Sequence, residues 1–227
     1  MLRFGFALAA VACAALPGCE QRQASGAPES ASSGVRGASS IPASVGELRD
    51  GDIAFHESTS RQSEMLRALT GSRWTHMGVV FMQGGKPVVL EAVSPVKWTA
   101  LAAWTARGRG KHYVVKRLRN AEARLTPEVI AKMRQVGTRW LGRPYDSQFR
   151  WQDDTLYCSE LVYKVYDRGA GIRIGRIERA RDMNLDDPRV EAARRQRFAG
   201  GRFDPDEQVV TPVSMFEDPQ LITVREE

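Results

Sequence analysis

The stretch Trp151-Gln-Asp-Asp-Thr-Leu-Tyr-Cys-Ser-Glu-Leu-Val-Tyr-Lys-Val-Tyr166 decides how the rest of the chain is read. A polar, irregular run gives way at Cys158 to apolar residues at helical spacing, namely Leu161, Val162, Val165 and Tyr166, and Gly169 is expected to stop the helix. Asp153, Asp154 and Thr155 are the N-cap candidates. Cys158 is therefore expected in the first turn of a buried helix. Unpaired backbone N–H groups and the positive end of the helix dipole favour an anion there, and hence the thiolate, the nucleophilic form of cysteine. The same position also suits a small core residue, because free cysteine is often buried. The rest of the chain has to choose between these readings.

A nucleophilic thiol needs a base, and the base needs an orienting partner. Upstream, Thr75–Phe81 and Pro87–Val93 read as two strands around the turn Gln83-Gly84-Gly85-Lys86. If the turn is centred between the two glycines, His76 faces Val93, and Glu91 is its diagonal neighbour on the same face. A one-residue slip would send Glu91 to the other face. A carboxylate inside the run Val88–Val93 either has a partner or points to solvent from an edge strand, and the partner reading is favoured.

The remaining body fills in around these parts. Leu48–Phe55 reads as a turn and a strand, and Ser58–Ser60 can cap a helix to about Thr70 with Gly71 as its stop. His56, between strand and helix, is expected to be structural or exposed. Val96–Gly110, with Trp98 and Trp104, is read as a helix with a loop, and its aromatics as core. His112–Leu118 is a strand. Thr126-Pro127-Glu128 opens a helix whose apolar stripe runs from Val129 to Leu141, with Gly142 ending it. Arg189–Phe198 reads as a basic surface helix, and Val209–Val224 as a short helix after Pro212 and a last strand. Residues 172–195 carry no usable pattern.

Five sequence features resemble those of the circularly permuted papain-like hydrolases of the NlpC superfamily, and more narrowly the YiiX/YebB group. In order they are Gly51-Asp52-Ile53, Thr75-His76-Met77-Gly78, Leu90-Glu91-Ala92, Pro144-Tyr145-Asp146 with Phe149, and Tyr157-Cys158-Ser159-Glu160. In unpermuted relatives the cysteine helix comes before the histidine strand; here His76 precedes Cys158. The resemblance implies an α+β papain-like fold, with a central antiparallel sheet packed against the cysteine-bearing helix. It implies Cys158 as nucleophile, His76 as general base and acid, and Glu91 as the orienting residue. Tyr145 matches a tyrosine near the site, placed either to support the oxyanion or only to pack. No cofactor and no metal are implied.

Residues 1–18 carry Arg3 and then an apolar run, which is the pattern of a secretory signal peptide. Leu16-Pro17-Gly18-Cys19 resembles a bacterial lipobox, although Pro17 departs from the usual small residue. Cys19 would then be the acylated first residue of the mature protein, and Glu20 after it favours the outer membrane. Residues 19–45, rich in Ser, Ala, Gly and Pro, read as a tether, and 46–227 as the hydrolase domain. Removal of residues 1–18 leaves Cys158 as the domain's single cysteine, so no internal disulfide forms within it.

The net charge of +6 is spread over scattered arginines with small clusters at Lys116–Arg119 and Arg194–Arg197. No continuous basic face with interleaved aromatics appears, so a nucleic-acid partner is not expected and the clusters read as solvated surface. The functional expectation is a cysteine amidase or peptidase of the cell envelope, facing the periplasm. Its substrate would be a peptidoglycan peptide or an acylated amino acid or lipid. The alternatives are a lipid-directed acyltransferase or esterase, and a non-catalytic binding lipoprotein that uses the same groove.

Overall fold

The computed structural model describes residues 46–198 and 202–227. The expectations placed on residues 1–45, including the signal peptide, Cys19 and the tether, lie outside the described residues.

The chain order is β1 (Ile53–Ser58), α1 (Arg61–Thr70), β2 (His76–Gln83), β3 (Lys86–Glu91), β4 (Lys97–Ala100), α2 (Leu101–Thr105) and β5 (Gly108–Leu118). There follow α3 (Ala121–Arg124), α4 (Pro127–Thr138), α5 (Cys158–Ala170), β6 (Ile177–Arg179), α6 (Pro188–Arg197), β7 (Gln208–Val210), α7 (Pro212–Phe216) and β8 (Leu221–Glu226). Six strands form one antiparallel sheet in the order β4-β3-β2-β1-β5-β8, and β6 and β7 form a separate two-stranded ribbon. This is the α+β architecture with a central antiparallel sheet that the sequence leads one to expect.

Strand alternation sorts the core onto two faces. Ile53, Phe55, Met77, Val79, Phe81 and Leu90 pack on one face with Met133 of α4 and Leu161, Val162 and Val165 of α5. Ala54, Val80 and Val89 turn to the other face and meet Leu101 and Trp104 of α2. The cysteine helix thus lies on the first face. His76, one residue before Met77, belongs by parity to the second.

Several local readings need correcting. The segment from Val96 is not a helix with a loop: it gives strand β4, the five-residue α2 and the start of β5. Gly169 does not stop α5. The helix continues to Ala170 and ends on Gly171, whose φ of 67° is the left-handed conformation that glycine adopts freely. Gly169 lies instead where α4 crosses, and a Cβ there would stand 2.6 Å from the Met133 Cα. Nor is the 116–119 cluster solvated surface throughout. Arg117 is buried and clamps the buried Asp52 through two hydrogen bonds of 2.7 and 2.8 Å, and Lys116 lies over the Phe216 ring.

Candidate active site

The register of the β2–β3 hairpin sets the first part of the site. Val79 pairs with Leu90 and Val80 with Val89, as a turn centred between Gly84 and Gly85 requires. His76 and Glu91 therefore share a face, and His76 Nε2 lies 2.7 Å from Glu91 Oε2. Glu91 is fully buried and its second oxygen is also occupied, accepting from Thr99 Oγ1 at 2.6 Å and from the Arg107 guanidinium at 2.5 Å. Burial pushes the Glu91 carboxyl up, but the hydrogen bonds from His76, Arg107 and Thr99 outweigh it and hold Glu91 at about 2.

The second part is the start of α5. The N-cap is Tyr157, in extended conformation, and Cys158 is the first helical residue, buried and a free thiol. Its backbone N–H has no acceptor within the helix. Asp153, Asp154 and Thr155 do not cap this helix. Asp153 instead pairs with Lys164 at 2.8 Å and with Arg168 at 2.6 Å. The entry is fixed by Glu160, whose carboxylate accepts from the Tyr157 N–H at 3.4 Å and the Gln152 N–H at 3.1 Å. The buried Lys164 donates to Glu160 at 2.6 Å and to the Gln152 carbonyl at 2.6 Å. Burial raises the Glu160 carboxyl to about 7 even with Lys164 beside it.

His76 joins the two parts. It is the first residue of β2, so its ring stands at the end of the sheet, where the Cys158 thiol at the N-terminus of α5 comes close enough to act on its protonation. Nε2 is engaged by Glu91, which leaves Nδ1 as the ring nitrogen available to the thiol. Burial by itself would strip the proton from this ring. The hydrogen bonds and attraction to Cys158 and Glu91 overcome it, and His76 is raised to about 9. The three residues singled out in the sequence are thus one connected cluster.

Tyr145 is part of the surroundings. The Gln62 side-chain amide donates to its oxygen at 2.8 Å, which leaves the phenol proton free to point elsewhere. Burial first, and then the neighbouring Cys158, raise the Tyr145 phenol well above its ordinary value. His56 is structural in character: it is buried and stacks on Trp104 with ring centroids 4.0 Å apart, and its own ring lies 5.1 Å from that of His76. Burial, and next the charge on His76, depress His56 to about 2 and keep it neutral.

Thr99, Arg107 and Gln62 were missed in the sequence. Thr99 becomes visible once Lys97–Ala100 is taken as a strand, because it then pairs with Val89 and shares the Glu91 face. No pattern marks Arg107 or Gln62.

Cys158 also lines a cavity between α1, α6 and the segment around β7, with about 920 Å³ of space including its open mouth. Met65, Leu69, Phe149, Leu185, Val190 and Val209 give it largely apolar walls.

Residues 47–225 match the family of permuted papain-like amidases, YaeF/YiiX, C92. The chain belongs to that family. Within the C92 amidases it is 40% identical over 188 residues to the YiiX protein of Escherichia coli strain K12, an alignment that covers 83% of this chain and 91% of that one. The fold is similar to the crystal structure of the metalloprotein YiiX from Escherichia coli O157:H7, with a TM-score of 0.74 and 41% identity over 79% of this chain and 97% of that one. Among the described residues of this chain, no group of three or more His, Cys, Asp or Glu side chains is arranged to hold a metal ion. The oxygens of Glu91 are committed to His76, Thr99 and Arg107. The described residues around Cys158 thus do not fit a metal.

Proposed function

We propose that this C92 family member is a thiol amidase that works through Cys158, His76 and Glu91. The observation that carries the reading is the place of His76, hydrogen-bonded to a buried carboxylate on one side and standing beside a helix-start thiol on the other. His76 takes the proton of the Cys158 thiol, the sulfur attacks the substrate carbonyl, and the tetrahedral oxyanion forms beside the Cys158 backbone N–H and the Tyr145 hydroxyl. His76 then gives its proton to the departing amine, leaving an acyl thioester on Cys158. Water attacks the thioester with His76 as base, which releases the acid and restores the site. Glu91 holds the imidazole in orientation and balances its charge. Arg107 and Thr99 hold Glu91.

The apolar cavity at Cys158 favours an acylated amine over a polar wall peptide as the substrate. This reading keeps the NlpC-superfamily affinity and the placement of the chain as an envelope lipoprotein anchored through Cys19, facing the periplasm.

The test is turnover of N-acyl amino acids and of peptidoglycan fragments by the full chain and by Cys158→Ala, with mass spectrometry of the protein during turnover. An acyl adduct confined to Cys158, with hydrolysis lost in the variant, supports the proposal. Hydrolysis that survives in Cys158→Ala, or no hydrolysis of either substrate class, sinks it.

A further inference from the structure

The last residue of α6 bears a charge that the proposed chemistry leaves unused. Arg197 lines the same cavity as Cys158. Its guanidinium lies over the Phe149 ring at 5.4 Å, and one of its nitrogens is 3.8 Å from Met65 Sδ. Its backbone carbonyl accepts from the Gln148 side chain at 3.2 Å, which ties the end of α6 to the loop that carries Tyr145 and Phe149.

A half-buried guanidinium among a phenyl ring and a thioether ordinarily has a carboxylate beside it. Among the described residues Arg197 has no ion-pair partner. The acids nearby are otherwise occupied. Glu191 takes Arg194 and Arg195, Asp146 accepts from the Gln148 and Arg150 backbones, Glu207 accepts from the Trp151 backbone, and Asp204 accepts from the Asp206 backbone. The cavity lining holds Arg150, Arg194, Arg197 and Arg202 against Asp204 and Glu207.

We propose that Arg197 is a specificity-determining residue that receives an anionic group, a carboxylate close to the scissile amide, of an amphiphilic acyl substrate. The apolar walls take the hydrocarbon chain, and the flat guanidinium takes the carboxylate through paired hydrogen bonds. The substrate class that fits both halves is the N-acylated amino acid with its carboxylate free. This inference rests on the amidase reading and narrows it.

The experiment compares N-decanoylglycine with N-decanoylglycinamide, in which a neutral carboxamide replaces the carboxylate. With the full chain, kcat/KM is expected to favour the acid by about ten- to a hundredfold, mainly through KM, which is the worth of a hydrogen bond to a charged group. R197M and R197Q are expected to abolish that preference. Equal use of the two compounds by the unaltered protein, or a preference that persists in both variants, overturns the proposal. The same pair is titrated onto Cys158→Ala to read binding without chemistry. Tighter binding of the acid that depends on Arg197, with no turnover by the unaltered chain, removes the amidase reading and keeps the Arg197 assignment. Turnover without discrimination does the reverse, and a failure to bind or turn over either compound overturns the assignment.

Discussion

At the scale of single residues, the site is a chain of charge in a buried place. The Glu91 carboxylate has no exposure to water, so its ionised form persists only because three donors converge on it. The pH dependence follows. Glu91 is lowered to about 2 from 4.5, so its contribution to stability is full above the ordinary value and lost as pH falls through about 2. His76 is raised to about 9 from 6.5, so its contribution is full below the ordinary value and lost as pH rises through about 9. The stability difference between the native protein and Glu91→Gln is therefore expected to form a plateau between those ordinary values, of about 1–3 kcal/mol. It should narrow on the alkaline side. Urea midpoints of the two proteins at about pH 5.5 and about pH 9.5 check this; a gap of the same size at both would mean that His76 does not titrate with Glu91.

At the scale of elements, α5 carries the thiol at one end and is held close to α4 at the other. Gly169 makes that closeness possible, since any Cβ there would collide with the Met133 backbone at 2.6 Å. Gly169→Ala is expected to force the two helices apart at a cost of about 1–3 kcal/mol. The displaced helix should also slow alkylation of Cys158, at its far end. Denaturant unfolding and the rate of reaction with iodoacetamide measure both effects, and an unchanged midpoint would contradict the close crossing. The elements also show what the sequence makes legible. The hairpin that joins His76 to Glu91 was readable because a two-glycine turn fixes strand parity. The α5 helix was readable because Leu161, Val162, Val165 and Tyr166 all face the core. Its start was only half readable, because Asp153 resembles a cap and is drawn off by Lys164 and Arg168, contacts that depend on the finished fold. β4 was lost because Lys97–Ala100 is too short to show alternation, and Thr99 went with it. Arg107 sits after the short α2 and meets Glu91 only through tertiary packing, so no local pattern announces it.

At the scale of the whole molecule, one sheet serves two cores, and its last strand belongs to both. Leu221 of β8 packs on the α5 face and Val224 on the α2 face. β8 also covers β5, which would otherwise be an open edge beside the buried pair Arg117 and Asp52. Removing residues 220–227 is expected to cost about 3–6 kcal/mol from these two side chains alone. Against ordinary domain stabilities, that should lower the midpoint of thermal unfolding by about 10 °C or more. A truncated chain that melts at the same temperature would show that β8 is peripheral.

The order in which the chain presents these parts has a consequence for its synthesis. His76 and Glu91 meet across a short hairpin, at a separation of only 15 residues, whereas Cys158 lies far downstream, beyond β5 and α4. At about 5–20 residues per second, the ribosome releases the hairpin that bears the imidazole and the carboxylate several seconds before the thiol emerges. The base and its carboxylate are therefore neighbours across a local hairpin before the thiol has been made. Chemistry waits on the docking of a single helix.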